Sequence, residues 1–351
     1  MFCKKCGEEA KPGVKFCRHC GTEFVLDSSG QATSDKNTAT RANIQKGYQA
    51  LCPKCGKENN PGVKYCRYCG AALVSYTKDI SRKDPGCFLF LIDQSESMAD
   101  PFGMDKGKQK SQGVADAINN ILNQLVNMCT KGFEVRDYFF VGVIGYGASV
   151  GSALGGNLAG RYLLPLSEIN GNARVIERTS EDEGRGGDKP IKLPIWIDPV
   201  AQNGTPMCAA LKEARRVLSG WVSQYPGSYP PIVINITDGE SNDGDPLPEA
   251  RRLTNISTTD GKVLLFNCHL SSTQAPSILF PDSSVALPDI YARKLFDMSS
   301  IIPEKMRVEA QTQGLSFNNE TRGFVFNAGI AELIQLLDIG TKGNQQKSAQ
   351  P

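Results

Sequence analysis

From residue 86 onward the chain alternates between two hydrophobic rhythms. CFLFLID, DYFFVGVIGYG (137–147), PPIVINITDG (230–239), KVLLFNCHL (262–270) and RGFVFNA (322–328) are short and almost wholly apolar. Runs of that length and character predict buried β-strands, and RYLLPLSEI (161–169) predicts a shorter one. Between them the apolar positions recur every three or four residues. SQGVADAINNILNQLVNMC places Val114, Ile118, Ile121, Leu122, Leu125 and Cys129 on one helical face. PMCAALKEARRVLSGWV does the same with Met207, Leu211, Ala214, Leu218 and Trp221. PLPEARRLTNI, IYARKLFDMSS, PEKMRVEAQTQG and GIAELIQLLDIG predict further, shorter helices. Apolar strands separated by amphipathic helices imply an α/β fold, a doubly wound, mostly parallel sheet flanked by helices. Sheets of this kind take ligands at the carboxyl ends of their strands. Asp93 and Asp238 each fall at such an end.

The first 85 residues follow neither rhythm. CKKCGEEAKPGVKFCRHCG (3–21) returns as CPKCGKENNPGVKYCRYCG (52–70), with 13 of 19 positions identical. Polar sequence separates the copies. The expected organisation is two small modules at 1–24 and 51–73, linkers at 25–50 and 74–85, a large domain at 86–340 and a disordered tail at 341–351.

Composition adds compartment and charge. No stretch is apolar enough to span a membrane, and MFCKKCGEEA lacks the apolar core of a leader, so a cytoplasmic location is expected. The net charge of +2 hides a formal +7 over residues 1–85 and −5 over the rest, as for two modules with separate tasks.

Eight of the 12 cysteines lie in the repeat, as Cys3, Cys6, Cys17 and Cys20, then Cys52, Cys55, Cys66 and Cys69. Four thiolates in two C-x2-C pairs suit tetrahedral zinc, and about twenty residues cannot bury enough surface to fold without it. The segments resemble zinc ribbons, which implies two Zn²⁺ ions in closed, structural sites. Cys87, Cys129, Cys208 and Cys268 are expected as small buried apolar residues, and His269 as a strand residue.

The loop DQSES places Asp93, Ser95 and Ser97 at alternate positions just past a strand. Three short oxygen donors could converge on one small hard cation, with further oxygens from other loops. Thr205 in NGTPM and Asp238 in ITDGES stand in the right places to contribute. FLIDQSESM, NGTPM and ITDGES, in that order, resemble the three loops of a von Willebrand factor A (VWA) domain. The resemblance covers about residues 86–340 and implies a Rossmann-like domain. It also implies a metal-ion-dependent adhesion site in which Asp93, Ser95, Ser97, Thr205 and Asp238 hold Mg²⁺ (or Mn²⁺). In that family an acidic residue of a protein partner completes the coordination. One departure is Glu96, where many relatives have glycine.

These readings together predict a non-enzymatic adaptor, in which the large domain binds a partner's Asp or Glu through the metal and the ribbons give a second contact. The style of the domain resembles bacterial VWA proteins of the tellurite-resistance-associated kind, which implies kinase or phosphatase signalling. A nucleic-acid-associated factor, with the basic ribbons reading DNA or RNA, is the alternative. A hydrolase centred on Asp93 and Asp238 ranks below both, because no general base with a tuned environment is evident beyond the neighbouring Glu240 and Asp243.

Overall fold

The computed structural model describes residues 76–102, 105–178, 191–270, 276–312 and 314–328, together with Glu332 and Gln335. Within the first 75 residues it describes 14, 16, 50–51, 55, 57–59, 63 and 65–70. The chain divides into two compact units, Met1–Ser75 and Tyr76–Pro351.

In the first unit, Ala50–Leu51 pairs antiparallel with Glu58–Asn59, with Ala50 opposite Asn59. Cys55 sits in the turn that joins them. Cys3, Cys6, Cys17, Cys20 and Cys52, and residues 25–49 of the linker expected at 25–50, lie outside the described residues.

The second unit is built on an eight-stranded sheet. Its strands are β1 (Gly86–Asp93), β2 (Phe139–Tyr146), β3 (Val150–Ser152), β4 (Leu164–Pro165), β5 (Ile232–Thr237), β6 (Leu264–Leu270), β7 (Ile278–Leu279) and β8 (Phe324–Ala328). The order is β4-β2-β1-β5-β6-β8-β7, with β3 also on β2. Neighbours from β2 to β8 are parallel, and β3, β4 and β7 join antiparallel at the margins. Helices cover both faces: α1 (Lys110–Met128), α2 (Leu166–Gly171), α3 (Met207–Gln224), α4 (Leu247–Thr254), α5 (Ile290–Met298) and α6 (Glu304–Thr312).

Side-chain alternation along β1 assigns the faces. Phe88, Phe90 and Ile92 pack with Val114, Ile118, Ile121 and Leu122 of α1. Cys87, Leu89 and Leu91 point the other way, onto Met207, Leu211, Ala214 and Leu218 of α3. Every residue of β1 is buried, as expected of a strand covered on both sides. Each large apolar side chain so enclosed contributes about 1.5–3 kcal/mol.

Among the described residues the predicted strands and helices hold, with one correction. Residues 161–169 form only the two-residue strand β4, after which the chain turns into α2. Pro165 takes the N-cap position and Leu166 and Ile169 become buried, so the apolar spacing there is helical. The strand pair Arg174–Arg178 and Ile191–Ile195 was not foreseen. Most of GIAELIQLLDIG, and the tail, lie outside the described residues. Residues 76–78, expected in a linker, lie on the α/β unit. The backbone N–H of Tyr76 donates to the Asp260 carbonyl, and those of Thr77 and Lys78 to its carboxylate.

One feature of the topology bears on function. From β1 the chain passes to β2 on one side and later to β5 on the other. The sheet order therefore reverses between β1 and β5, and a crevice opens at their carboxyl ends.

Candidate metal centre and zinc-ribbon thiols

The crevice is lined by three loops. The first follows β1, the second precedes α3 and the third follows β5. Backbone hydrogen bonds lock them together. The Gln202 N–H donates to the Gln94 carbonyl at 2.6 Å, and the Glu96 N–H to the Asn203 carbonyl at 2.8 Å. The Thr205 carbonyl accepts from Met207 and from Asn242 of the third loop, at 2.8 and 3.0 Å. Gly147, just past β2, makes this approach possible, because a Cβ there would meet the Gln94 and Gln202 carbonyl oxygens at 2.7 and 2.9 Å.

Asp243 ties the third loop to α3. Its carboxylate accepts from the Cys208 and Ala209 N–H groups at 2.9 and 2.8 Å, capping the helix from a distant loop. Burial pushes its pKa up, but these bonds and one from Ser241 outweigh it and hold Asp243 below the usual carboxylate range. The Pro206 position expected inside α3 is its N-cap.

Four of the five expected oxygen-bearing residues form one connected set. Asp93 is fully buried. Its Oδ1 accepts from the Ser95 N–H at 2.9 Å and its Oδ2 from the Thr237 hydroxyl at 2.7 Å. The Ser95 and Ser97 hydroxyls lie 3.1 Å apart, and Ser97 donates to Asp238 Oδ1 at 2.8 Å. Thr205 is buried, and its carbonyl ties the second loop to the third through the Asn242 N–H. Among the described residues no hydrogen bond links its hydroxyl to the other four. Glu96 is exposed. Burial pushes the Asp93 carboxyl up to about 6, against the bonds from Ser95 and Thr237 that pull it down. Such a group gains from a cation close by.

Sequence reasoning missed Lys110. Its side chain is 5% exposed, and its ammonium donates to Asp238 Oδ2 at 2.8 Å. The only signal was a lysine in DKGKQK at the start of a predicted helix, and such runs are normally solvated. A cavity of about 220 Å³ adjoins the third loop, lined in part by Met207, Gly239, Glu240, Asp245, Tyr291 and Leu295.

Cys87, Cys129, Cys208 and Cys268 are buried, as expected. His269 lies in β6, stacked on Phe326 at 4.7 Å between ring centroids, and among the described residues its Nδ1 has no hydrogen-bond partner.

In the first unit, the thiols of Cys55, Cys66 and Cys69 lie within 4.8 Å of one another, and Cys55 and Cys66 sulfurs are 3.6 Å apart. A tetrahedral site with bonds of about 2.3 Å has sulfur–sulfur edges of about 3.8 Å, so this set fits Zn²⁺. Asn59 and the Tyr68 N–H both donate to the Cys66 sulfur, which suits a thiolate. Gly70, at φ 68°, closes the knuckle by donating to the Cys66 carbonyl.

Residues 3–70 match the double zinc ribbon family. The double zinc ribbon accounts for the repeated cysteine pairs. No curated protein matches the chain by sequence. Among solved structures, proximal thread matrix protein 1 from the mussel byssus is similar at 16% identity and a TM-score of 0.39, over 74% of this chain and 48% of that one. The type V pilus tip protein Mfa5 of Porphyromonas gingivalis is similar in two structures. Its three N-terminal domains align at 13% identity and a TM-score of 0.26, over 45% of this chain and 20% of theirs. Its vWF domain aligns at 12% and 0.27, over 45% of this chain and 39% of that one. The chain thus spans half or less of these proteins. The α/β class rests on the strand order and packing described above.

Proposed function

We propose that the α/β unit is a VWA-type module that binds a protein partner through a divalent cation, Mg²⁺ or Mn²⁺. Asp93, Ser95, Ser97, Thr205 and Asp238 hold the ion. The observation that carries this reading is the run Ser95 Oγ, Ser97 Oγ, Asp238 Oδ1, with successive separations of 3.1 and 2.8 Å. An octahedral shell with bonds of about 2.0–2.1 Å has edges of about 2.9 Å, so these oxygens stand at the spacing of adjacent ligands. When bound, the ion supplies a hard positive centre with a position open to a carboxylate. Asp93, through its bonds to Ser95 and Thr237, holds the first loop against β5. The backbone bonds among the three loops keep the oxygens in place before any ion arrives.

The partner, on this reading, presents an Asp or Glu to the ion. The double zinc ribbon gives a second contact, so that the two weak attachments reinforce each other. The role is that of a non-enzymatic adaptor, and a bacterial cytoplasmic signalling system with kinases or phosphatases is a setting that suits it. Asp243, one of the two candidate bases, is committed to capping α3, which favours binding over hydrolysis.

The test is Mn²⁺ titration of the full chain, followed by capture of partners from the native cell in Mg²⁺ or EDTA. Wild type should bind one Mn²⁺ that Asp93→Ala does not, and should lose the same partners by mutation and by chelation. No partner lost by wild type on passing from Mg²⁺ to EDTA, and none lost in Asp93→Ala, would refute the metal-dependent reading.

A second reading is favoured by one local feature. Lys57 and Arg67 lie 4.8 and 4.7 Å from the Tyr68 ring centroid, a basic and aromatic cluster of the kind that contacts nucleic acid. Salt-sensitive binding of DNA or RNA, abolished by Lys57→Ala with Arg67→Ala, would favour it.

A further inference from the structure

Lys110 is not required by the metal-site reading on which this inference rests, yet it is the most deeply placed cation at the crevice. Its side chain is 5% exposed and that of Asp238 2%. The two oxygens of Asp238 are divided between opposite duties. Oδ1 accepts from Ser97 within the run of candidate ligands, and Oδ2 accepts from the Lys110 ammonium, each at 2.8 Å. The same ammonium lies 3.4 Å from the Ser97 carbonyl oxygen and 3.6 Å from the Asp100 carboxylate. Its position is fixed from the backbone, because Lys110 is the first residue of α1 and its N–H donates to the Asp100 carbonyl at 2.9 Å.

A buried charge is tolerated only when paired, and Lys110 with Asp238 meets that condition without any added ion. The pair also changes the charge that a bound ion experiences. Asp93 and Asp238 alone would neutralise a divalent cation. With Lys110 present, and the Asp100 carboxylate, 57% exposed and screened by water, offsetting it only in part, the ion and its buried neighbours carry a net positive charge, which a carboxylate from outside would cancel. Repulsion between the ammonium and the ion acts across one carboxylate, at a depth where water screens it poorly.

We propose that Lys110 is a built-in counter-cation of the site. It holds Asp238 with one oxygen turned to the ion, weakens binding of the ion, and leaves the loaded site in need of an anionic partner. Lys110 is a positioning residue, since it acts through Asp238.

The test is titration of the full, zinc-loaded chain with Mn²⁺, reading free Mn²⁺ by electron paramagnetic resonance. Lys110→Met and Lys110→Gln should bind Mn²⁺ at least tenfold more tightly than wild type, and Lys110→Arg should stay near wild type. A purely structural lysine would give the opposite result, because damage to the loops weakens binding. Binding by the neutral variants alone would overturn the inference together with the wild-type metal site, because the ammonium would then stand in place of the ion. Equal or weaker binding by the neutral variants would overturn the inference and leave the metal site standing. No binding by wild type or variants would overturn both. If the variants fail to fold, the wild-type protein carries the test through acylation of its amines. Lys110 should be protected with and without Mn²⁺, and labelling as fast as that of surface lysines would overturn the proposal.

Discussion

Replacing Asn235 by Leu would remove the centre of a hydrogen-bonded chain that crosses the sheet between β2 and β6. Tyr146 of β2 donates its hydroxyl to Asn235 Oδ1 at 2.8 Å, reaching past β1 to β5. Asn235 donates to Asn267 Oδ1 at 2.9 Å. Asn267 in turn donates to Ser299 and to the Leu295 carbonyl at the end of α5. Tyr146, Asn235 and Asn267 are all fully buried. Leu is close in size, so no large cavity forms, but two buried polar groups lose their partners. Tyr146 keeps a 3.5 Å contact with the Ile236 carbonyl and the neighbouring Thr237 side chain, and among the described residues Asn267 Oδ1 has no other hydrogen bond. Each orphaned group costs about 1–3 kcal/mol, and the added apolar burial returns about 1 kcal/mol, so the net loss should be about 3 kcal/mol. Urea unfolding followed by tryptophan fluorescence measures it, because Trp196 and Trp221, the two tryptophans of the chain, are both buried in the α/β unit. Adding Tyr146→Phe should recover part of the loss, since it removes one of the two orphaned groups and leaves only Asn267 Oδ1 unsatisfied. A loss below about 1 kcal/mol, or a double variant whose cost is the sum of the singles, would refute the reasoning.

Two further outcomes follow from local geometry. Burial pushes His269 down to about 4, although Asp289 and Asp238 pull it up and Lys110 adds to the downward push. From pH 6.5 to 4 the unfolded chain takes up a proton that the folded chain refuses, so this residue lowers stability as pH falls, by up to about 3 kcal/mol. Asp93, raised to about 6, acts in the opposite sense over much of that window, so His269→Phe must be compared with wild type in urea melts at pH 7 and pH 4.5. The variant should lose less stability on acidification, and equal losses would count against the account. Gly147→Ala forces a Cβ onto two backbone oxygens and should cost about 1–3 kcal/mol. It should also weaken Mn²⁺ binding at least tenfold by parting the first and second loops, and an unchanged titration would show that the loops do not depend on that approach.

Much of the architecture was legible in the chain. Strands covered on both faces must be apolar throughout, and a helix that buries one side must repeat its apolar residues every three or four positions. CFLFLID and SQGVADAINNILNQLVNMC satisfy those rules without reference to anything distant. RYLLPLSEI misled because a two-residue strand runs directly into a one-sided helix, and a short apolar run reads alike in either state. The DQSES spacing and the cysteine pairs were also visible, since each is a local arrangement of donors.

The sequence by itself determined the element types, the zinc-ribbon repeat and the oxygen donors at the strand ends. Tertiary structure alone decided which donors meet. Ser97 and Asp238 are 141 residues apart, and only the reversal of strand order between β1 and β5 brings them within 2.8 Å. It likewise turned Lys110 from an apparent surface charge into the buried partner of Asp238. The physical reason is that hydrophobic periodicity is written in neighbouring residues, whereas the pairing of charges depends on distances that exist only after the sheet has closed its loops together.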